Sequence, residues 1–599
     1  MSDYHAPVRD MLFVMTHLAD AASLAELPGY EEATPDLLSS VLDEAGRFGS
    51  ECLAPLNQTG DRDGVRWTAE GVRSSPGFAD AYADFVAGGW NGLTATPDSG
   101  GMGLPTLMGS ATHEIWNAAN MAFALCPLLS ASAIKLLENH GDETLTAAYL
   151  EKMVSGEWTG TMDLTEPQSG SDLATIRTRA EPAGDGSYRL FGQKIYITWG
   201  EHDMAANTMH LVLARLPDAP AGVKGISLFL VPRYLLDDNG EPGTTNDMRA
   251  ASIEHKLGIH GSPTCTMVYG EADGAVGYLV GPENQGLRCM FTMMNAARHK
   301  MGVQALGLSD RAYQRARAYA FDRVQGRPAD PEAPASAPIA HHADVRRMLL
   351  LMKSQIDAMR ALCYVTAADM DRAGRAPAAE DRQRHQARVD LLIPVVKAWC
   401  TEAAIEITSL GVQVHGGMGY VEETGAAQYY RDARIIPIYE GTNGIQAIDL
   451  VGRKLLRDQG EAMQALIADM SATRDELAAH TELGTIRTAL SEGIDALGAA
   501  TESLLETGKV SGEQATANAF DYLMLVGTVT GGWLLARQAM VASDALEKAG
   551  DDRPFYEQKV ATATFYAAQV MPRLHAHARV VANGFEPVLS VSPVMLAAG

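Results

Sequence analysis

Cysteine is scarce in this chain of 599 residues, which contains only six, widely scattered. None lies in a C-x-x-C pair or beside a histidine at metal-ligand spacing. The sequence therefore favours reduced, mostly buried thiols over a disulfide framework or a metal site. The cysteines are Cys52, Cys126, Cys265, Cys289, Cys363 and Cys400. This usage is typical of a cytoplasmic protein, which is the location we expect, and no metal is predicted.

Basic residues are also few, because 48 Lys and Arg stand against 74 Asp and Glu, a formal net charge of −26. Nucleic acids and anionic membranes are bound through basic faces, so the charge argues against both as general partners. It does not exclude a small local pocket for a phosphate-bearing ligand.

Long apolar runs are missing as well. The N-terminal stretch MSDYHAPVRDMLFVMTHL has an early Asp and lacks the apolar core of a signal peptide. The most apolar later stretch is YLMLVGTVTGGWLLA, residues 522–536. It is shorter than the ~20 residues that a membrane-spanning helix needs. It therefore predicts a packed core helix, and no membrane span is expected.

The remaining pattern predicts a mainly α protein with a central β domain. Three runs, YRLFGQKIYIT, TMHLVLARL and GISLFLVP, are rich in β-branched and aromatic residues and predict strands. From Val345 to Met370, apolar residues recur at helical spacing. The predicted domains are an N-terminal helical domain (1–158), a middle β domain (159–286), a helical bundle (287–459) and an additional C-terminal helical domain (460–599).

Four short motifs carry polar residues suited to chemistry. TEPQSGSDL, from Thr165, has small and hydroxyl residues that let a backbone approach a flat ligand. GQKIYIT places Tyr196 and Thr198 on one side of a strand, and GVQVHGGMGY is a glycine-rich turn. RDARIIPIYEGTNGIQ holds one carboxylate, Glu440, between an apolar run and a Gly-Thr-Asn turn. Taken singly, each motif is also explained by an ordinary turn or by core packing.

In this order and spacing the four motifs resemble the acyl-CoA dehydrogenase family, and the chain is similar to its long branch with an extra C-terminal helical domain. The resemblance implies a helical N-terminal domain, a β-barrel-like middle domain and a four-helix bundle. It also implies FAD as cofactor, an acyl-CoA thioester as substrate and an electron-transfer flavoprotein as electron acceptor. A homodimer without a nucleic-acid partner is expected.

The resemblance assigns site residues by position. Those implied to contact FAD are Met162, Leu164, Thr165, Gly170, Ser171, Tyr196, Ile197, Thr198, Arg323, Gln413, Gly416, Gly417 and Thr442, and those implied to contact substrate are Ser171, Glu440 and Gly441. The family commonly has Trp at the position of Tyr196. The segment FDRVQGR around Arg323 is one residue shorter than the family motif and lacks its Phe. Gly444 replaces a Gln often found there.

Glu440 falls on the family's catalytic base. The α-proton of a thioester is a weak acid, so a base with an ordinary carboxylate pKa near 4 needs that pKa raised. Burial beside Ile438, Tyr439 and an acyl chain raises it by up to about 3–5 units. The dipole of the following helix, with Asn443 as its expected cap, opposes this by only about 0.3–1 kcal/mol. The alternative for Glu440 is an ion pair that fixes the loop.

Arg298 matches a family arginine close to the base, so it is the second predicted catalytic residue; the alternative is an ordinary arginine on a helix surface. Within the long branch, YHAPVRDMLFV and HGSPTC resemble members that act on 3-methylthiopropanoyl-CoA in dimethylsulfoniopropionate breakdown. A short thioether acyl chain is therefore the expected substrate. A medium- or long-chain dehydrogenase of fatty-acid β-oxidation and an acyl-CoA oxidase are the alternatives. A nucleic-acid-binding flavoprotein would need a basic stretch in residues 460–599, which are mixed to acidic.

Overall fold

A computed structural model describes residues 4–329, 334, 336–548 and 550–598. The stretch GRPADPEAPASAPIA, residues 326–340, is rich in Pro and Ala, a composition that predicts a surface linker, and its residues 330–333 and 335 lie outside the described residues. The chain divides into two compact units, which we describe separately. The first comprises Met1–Ala6 and Glu44–Lys300, and the second comprises Pro7–Asp43 and Met301–Gly599. The four domain boundaries predicted above stay a prediction.

The helical part of the first unit is built around one buried helix. Its principal helices are Ala54–Asp63, Phe78–Ala87 and Thr106–His140, and it also includes the end of Pro35–Phe48 and the start of Gly286–Asp322. The helix Thr106–His140 is interrupted by a non-helical Asn120. A hairpin of β1 (Arg66–Thr68) and β2 (Gly71–Arg73) was not predicted, because three-residue strands are too short to show alternation.

Ten strands form the β part of the first unit. They are β3 (Trp158–Asp163), β4 (Arg179–Pro182), β5 (Tyr188–Thr198), β6 (Asn207–Arg215), β7 (Ile226–Pro232), β8 (Tyr234–Leu236), β9 (Pro242–Thr245), β10 (Met248–Ile253), β11 (Thr264–Tyr269) and β12 (Ala275–Leu279). The main sheet has the order β10-β11-β5-β12-β7-β6-β3, with β4 paired to β5 and β6. The three predicted strands correspond to β5, β6 and β7.

A β-bulge interrupts β5 where it pairs with β11. Ile197 lies opposite Cys265 and Lys194 lies opposite Met267, so two residues of β5 face one of β11. One of the two, Tyr196, has a φ of 61°. As a result Lys194 is buried while Tyr196 points outward.

Long helices form the second unit. They are Val8–His17, the rest of Gly286–Asp322, Ala343–Arg375, Ala379–His415, Ala426–Ala433, Glu461–Glu476, Gly484–Val510, Ala519–Leu546, Arg553–Gln569 and Leu574–Ala582, with the shorter helix Asn443–Asp449. Most of the stripe predicted in Ala343–Arg375 is buried. The glycines of the apolar stretch allow close packing, because a Cβ at Gly527 would lie 2.3 Å from the ring of Trp399. The mainly α fold with a central β region is confirmed.

Two helices of the described chain are long and apolar enough to cross a membrane, Thr106–His140 and Ala519–Leu546. The expectation that residues 522–536 are too short to do so was wrong, because less apolar flanking residues extend this helix to 28 residues. The most apolar windows of the two helices are 89% and 83% buried inside the protein. Buried core helices pass the same test of length and composition, so this is weak evidence for a span.

Candidate active site

Glu440 lies in a tight loop of the second unit, between the helices Ala426–Ala433 and Asn443–Asp449. Its φ is 57° and that of Gly441 is 86°, so two consecutive residues adopt the left-handed conformation. For a residue with a Cβ this conformation costs roughly 1–2 kcal/mol. The loop is closed by the Asn443 amide, which donates to the carbonyl of Pro437 at 3.0 Å. Strain of this kind is common at functional sites.

The helix after Glu440 begins differently from the prediction. Thr442 is its N-cap, and the Thr442 hydroxyl oxygen accepts from the amide of Ile445 at 3.3 Å. The expectation that Asn443 caps the helix was wrong, because its side chain is buried and used elsewhere. Lys397 Nζ donates to Asn443 Oδ1 at 2.8 Å, and Asn443 Nδ2 donates to Glu402 Oε1 at 2.8 Å. Asn443 therefore anchors the loop to the helix Ala379–His415.

The immediate surroundings of Glu440 are partly apolar. Ile436 is fully buried, whereas Ile438 is 47% exposed and Glu440 is partly exposed. The hydroxyl of Tyr439 donates to Gln304 Oε1. Burial, and then the negative charge of Glu440, raises the pKa of Tyr439 well above its usual value. Tyr439 is thus a neutral donor whose ring adds apolar surface beside the carboxylate.

The other predicted site residues of the second unit lie around the ends of two helices. Arg323 follows the helix Gly286–Asp322. Gln413 lies in the last turn of the helix Ala379–His415, and Gly416 and Gly417 follow that helix. All four are exposed. The two helix ends meet where the rings of Tyr319 and His415 lie 4.5 Å apart.

In the first unit the structure brings the ends of β3 and β5 together. The amide of Ile195 donates to the carbonyl of Thr165 at 2.9 Å, and the Thr161 hydroxyl donates to the carbonyl of Thr198 at 2.9 Å. Met162, Leu164 and Thr165 therefore lie beside Tyr196, Ile197 and Thr198. As the alternation predicts, Tyr196 and Thr198 face outward while Ile197 is buried.

A buried ion pair holds the loop that carries Gly170 and Ser171, and both of these residues are exposed. Lys194 Nζ donates to Glu166 Oε1 at 2.8 Å and to the carbonyl of Leu164 at 3.0 Å. Glu166 also accepts from the amides of Arg177 and Thr178, at 2.7 and 3.0 Å. Burial alone would raise the pKa of Glu166, but Lys194 and these donors lower it to about 2.

The residues present fit FAD. In the first unit Tyr196, which is 61% exposed, presents an aromatic ring two residues after the buried Lys194. A Cβ added to Gly170 would meet nothing within 4 Å, and the same holds for Gly416 and Gly417 in the second unit. Exposed aromatic faces and open backbone suit a flat ring system and a phosphate group.

Arg298 lies on the helix Gly286–Asp322, in its first-unit portion, and is 5% exposed. The alternative of an ordinary surface arginine is therefore wrong. A buried guanidinium is unusual, because charged groups are seldom buried unless they are paired. Its catalytic assignment stays a prediction.

Sequence reasoning missed the residues that support the site. Glu166 and Lys194 stand inside two of the motifs, but strict alternation from Tyr196 places Lys194 outside, and only the bulge turns it inward. The sequence indicates Asn443 only as a cap. The one weak sign of another role is the neighbouring Thr442, which can itself serve as the N-cap and so leaves the Asn443 side chain available for other contacts.

Comparison with known proteins places the chain in a family. The acyl-CoA dehydrogenase N-terminal domain model matches residues 39–157, the middle domain model 161–271 and the C-terminal domain model 284–456. A further model, acetyl-CoA dehydrogenase C-terminal like, matches residues 461–592.

Individual relatives cover nearly the whole chain. The 3-methylmercaptopropionyl-CoA dehydrogenase of Ruegeria pomeroyi is 46% identical over 97% of this chain and 98% of its own. A butyryl-CoA dehydrogenase of Syntrophomonas wolfei is 33% identical over 95% of each chain. The solved structure of an acyl-CoA dehydrogenase complexed with FAD from Bacillus anthracis has the same fold, with a TM-score of 0.72, 20% identity and coverage of 93% of this chain and 90% of its own. The chain belongs to the acyl-CoA dehydrogenase family of FAD-dependent oxidoreductases.

Proposed function

We propose that this enzyme converts 3-methylthiopropanoyl-CoA to 3-methylthioacryloyl-CoA, a step of dimethylsulfoniopropionate breakdown. The observation that carries the proposal is the difference in identity between relatives of full length. The relative named for the thioether substrate is 46% identical, whereas the relative named for butyryl-CoA is 33% identical. The thioether chain is isosteric with a short straight chain, so the pocket has to distinguish a sulfur atom from a methylene.

In this proposal Glu440 is the base that removes the α-proton of the thioester. Its loop holds the carboxylate on a strained backbone that is fixed by Pro437 and Asn443. When substrate covers the exposed Ile438, water leaves and the pKa of a carboxylate in this position rises toward the working pH. Bound FAD supplies the acceptor for the hydride that leaves the β-carbon.

The negative charge that grows on the thioester oxygen needs a donor. The backbone N–H of Glu440 is the donor that the family resemblance assigns. A donor aimed at developing charge is commonly the largest single contribution to catalysis. Because Glu440 and Gly441 share a left-handed turn, the amide and the carboxylate of one residue are fixed by the same backbone.

The proposed FAD contacts are those named from the sequence, including Arg323 and Gln413 in the second unit and Tyr196 and Thr198 in the first. We further propose a homodimer in which Arg323 reaches the FAD of the partner subunit. The exposure of Arg323 and of Phe321, which is 62% exposed, supports this role. The electron acceptor is proposed to be an electron-transfer flavoprotein, and the location cytoplasmic, as supported by six free cysteines.

A second candidate is a dehydrogenase of straight-chain acyl-CoA. It is favoured by a relative of Mycobacterium tuberculosis named a broad-specificity linear acyl-CoA dehydrogenase, which is 33% identical over 97% of this chain. One methylene in a pocket is worth only about 1–3 kcal/mol, so broad use of short chains is compatible with the same fold.

The test is dye reduction with a panel of acyl-CoA thioesters. We expect 3-methylthiopropanoyl-CoA to give the highest kcat/KM, by about tenfold over butyryl-CoA and more over octanoyl-CoA. Faster reaction of either straight chain would replace the proposed substrate with the second candidate. Anaerobic reduction by substrate followed by exposure to air separates dehydrogenase from oxidase, because an oxidase reoxidises quickly and forms peroxide.

A further inference from the structure

A fully buried cluster of three titratable residues lies in the β part of the first unit and has no part in the proton transfer above. Asp163 ends β3, His210 lies on β6 and Tyr269 ends β11, and none is more than 1% exposed. The Tyr269 hydroxyl donates to Asp163 Oδ2, and His210 Nδ1 lies 3.2 Å from the same oxygen. Two strands, β6 and β11, thus place polar groups on one carboxylate oxygen of a third strand, β3.

Tyr269 and His210 both lie against the Asp163 carboxylate as donors. Within the described chain, His210 Nε2 and Asp163 Oδ1 have no hydrogen-bond partner. An unpaired buried N–H is costly, so the arrangement fits the His210 tautomer whose proton is on Nδ1 and is donated to Asp163. Burial, and then the charge of Asp163, raises the pKa of Tyr269, which keeps the phenol neutral.

The charge of Asp163 is not cancelled by its contacts. The cation that interacts with it, Lys194, is already paired with Glu166 at 2.8 Å. Two carboxylates and one ammonium leave a net charge of about −1 in this part of the interior. A buried charge without a paired ion is expensive to maintain, and apolar residues of the same shape would be as stable or more so. The cluster is therefore hard to explain as a device for stability alone.

Its position relates it to the cofactor. Asp163 stands between Met162 and Leu164, which the proposed function places against FAD, and its side chain points to the interior while Met162 is partly exposed. Thr161, on the same face of β3, donates to the carbonyl of Thr198, another proposed FAD contact. Resting on that proposed site, we infer that the carboxylate of Asp163, which contacts Tyr269 and His210, lowers the reduction potential of the bound FAD. Asp163 is fully buried, so it acts on the flavin through its charge and touches neither substrate nor cofactor.

The test is the reduction potential of the purified holoenzyme, measured by slow reduction with xanthine and xanthine oxidase beside a reference dye. Asp163→Asn keeps the acceptor for Tyr269 and removes the charge. In general, two unit charges about 10 Å apart at an effective dielectric constant of about 20 change an equilibrium roughly tenfold. The ratio of reduced to oxidised FAD at a fixed dye potential should therefore rise roughly tenfold, or about 30 mV for a two-electron couple.

The control is Thr161→Val, which removes a hydrogen bond on the same face of β3 without changing charge. It should lower the thermal midpoint and leave the potential unchanged. If D163N loses FAD, the double variant D163L/Y269F removes the carboxylate together with the Tyr269 hydroxyl that donates to it, and should show the same rise. A potential within roughly twofold of the wild-type ratio in D163N or the double variant, or an equal rise in T161V, overturns the inference. A wild-type protein without FAD overturns the proposed site and this inference together.

Discussion

Asn443 is predicted to fix the catalytic loop without touching the substrate. Asn443→Ala removes the hydrogen bonds to the buried Lys397 and to Glu402, both 2.8 Å long. Each involves a charged group and is worth about 1.5–3 kcal/mol, so up to about 3–6 kcal/mol of local fixation is lost. Water and neighbouring groups will replace part of these hydrogen bonds. If about half of the lost free energy acts on the transition state, kcat falls roughly 10- to 100-fold.

The assay is a steady-state and single-turnover comparison with the best acyl-CoA, with FAD content measured for each variant. Because the loop holds the base rather than the thioester's CoA moiety, kcat should fall far more than KM rises, and FAD should be retained. Asn239→Ala, in an exposed turn, is the matched control and should change kcat less than about twofold. A kcat for Asn443→Ala within twofold of wild type would show that Asn443 does not fix the loop for catalysis.

Three further changes test separate parts of the structure. Gly441→Ala places a Cβ at a φ of 86° and should raise the activation free energy and lower the unfolding free energy by about 1 kcal/mol each. Gly484→Ala, at a helical φ of −54°, should change neither, and equal effects of the two variants would contradict this. Lys559→Met breaks a buried contact with Asp10 and should lower the unfolding free energy, measured in urea, by about 3 kcal/mol. The exposed Lys509→Met should lower it by under about 1 kcal/mol, and a similarly small loss in both variants would contradict a stabilising role of the Lys559–Asp10 contact. The stabilisation due to Glu166 is complete above about pH 4.5 and is lost as pH falls through about 2. Glu166→Gln should therefore lower the thermal midpoint at pH 7, and the midpoint of the variant should fall less between pH 4.5 and pH 2 than that of the wild type. An unchanged dependence of the midpoint on acid pH would contradict this.

Much of the fold is predictable because periodicity reports burial. β5, β6 and β7 lie within a residue or two of the runs that predict them, and the stripe of Ala343–Arg375 is a buried helix. What could not be predicted depends on tertiary contacts. Asn443 and Thr442 are both good caps, and the choice was made by buried polar groups on another helix. The bulge at Tyr196 reverses the side on which Lys194 lies.

The candidate site is predictable in part for a different reason. Glu440 stands out because a carboxylate between an apolar run and a helix start needs an explanation, and the family resemblance supplies one. The residues that hold it, and those that hold the loop after Thr165, have no such local signal. Asp163 is the clearest case, since its partners His210 and Tyr269 come from strands 47 and 106 residues away in sequence.

We expect Glu440 to remove the α-proton, and this role can be tested directly. Its most direct test is anaerobic single-turnover reduction of FAD by 3-methylthiopropanoyl-CoA in Glu440→Gln, monitored by the loss of flavin absorbance. We expect a folded yellow protein that retains FAD and bleaches about 10²- to 10⁴-fold more slowly than wild type. Bleaching at the wild-type rate, with butyryl-CoA or the thioether substrate, would contradict it.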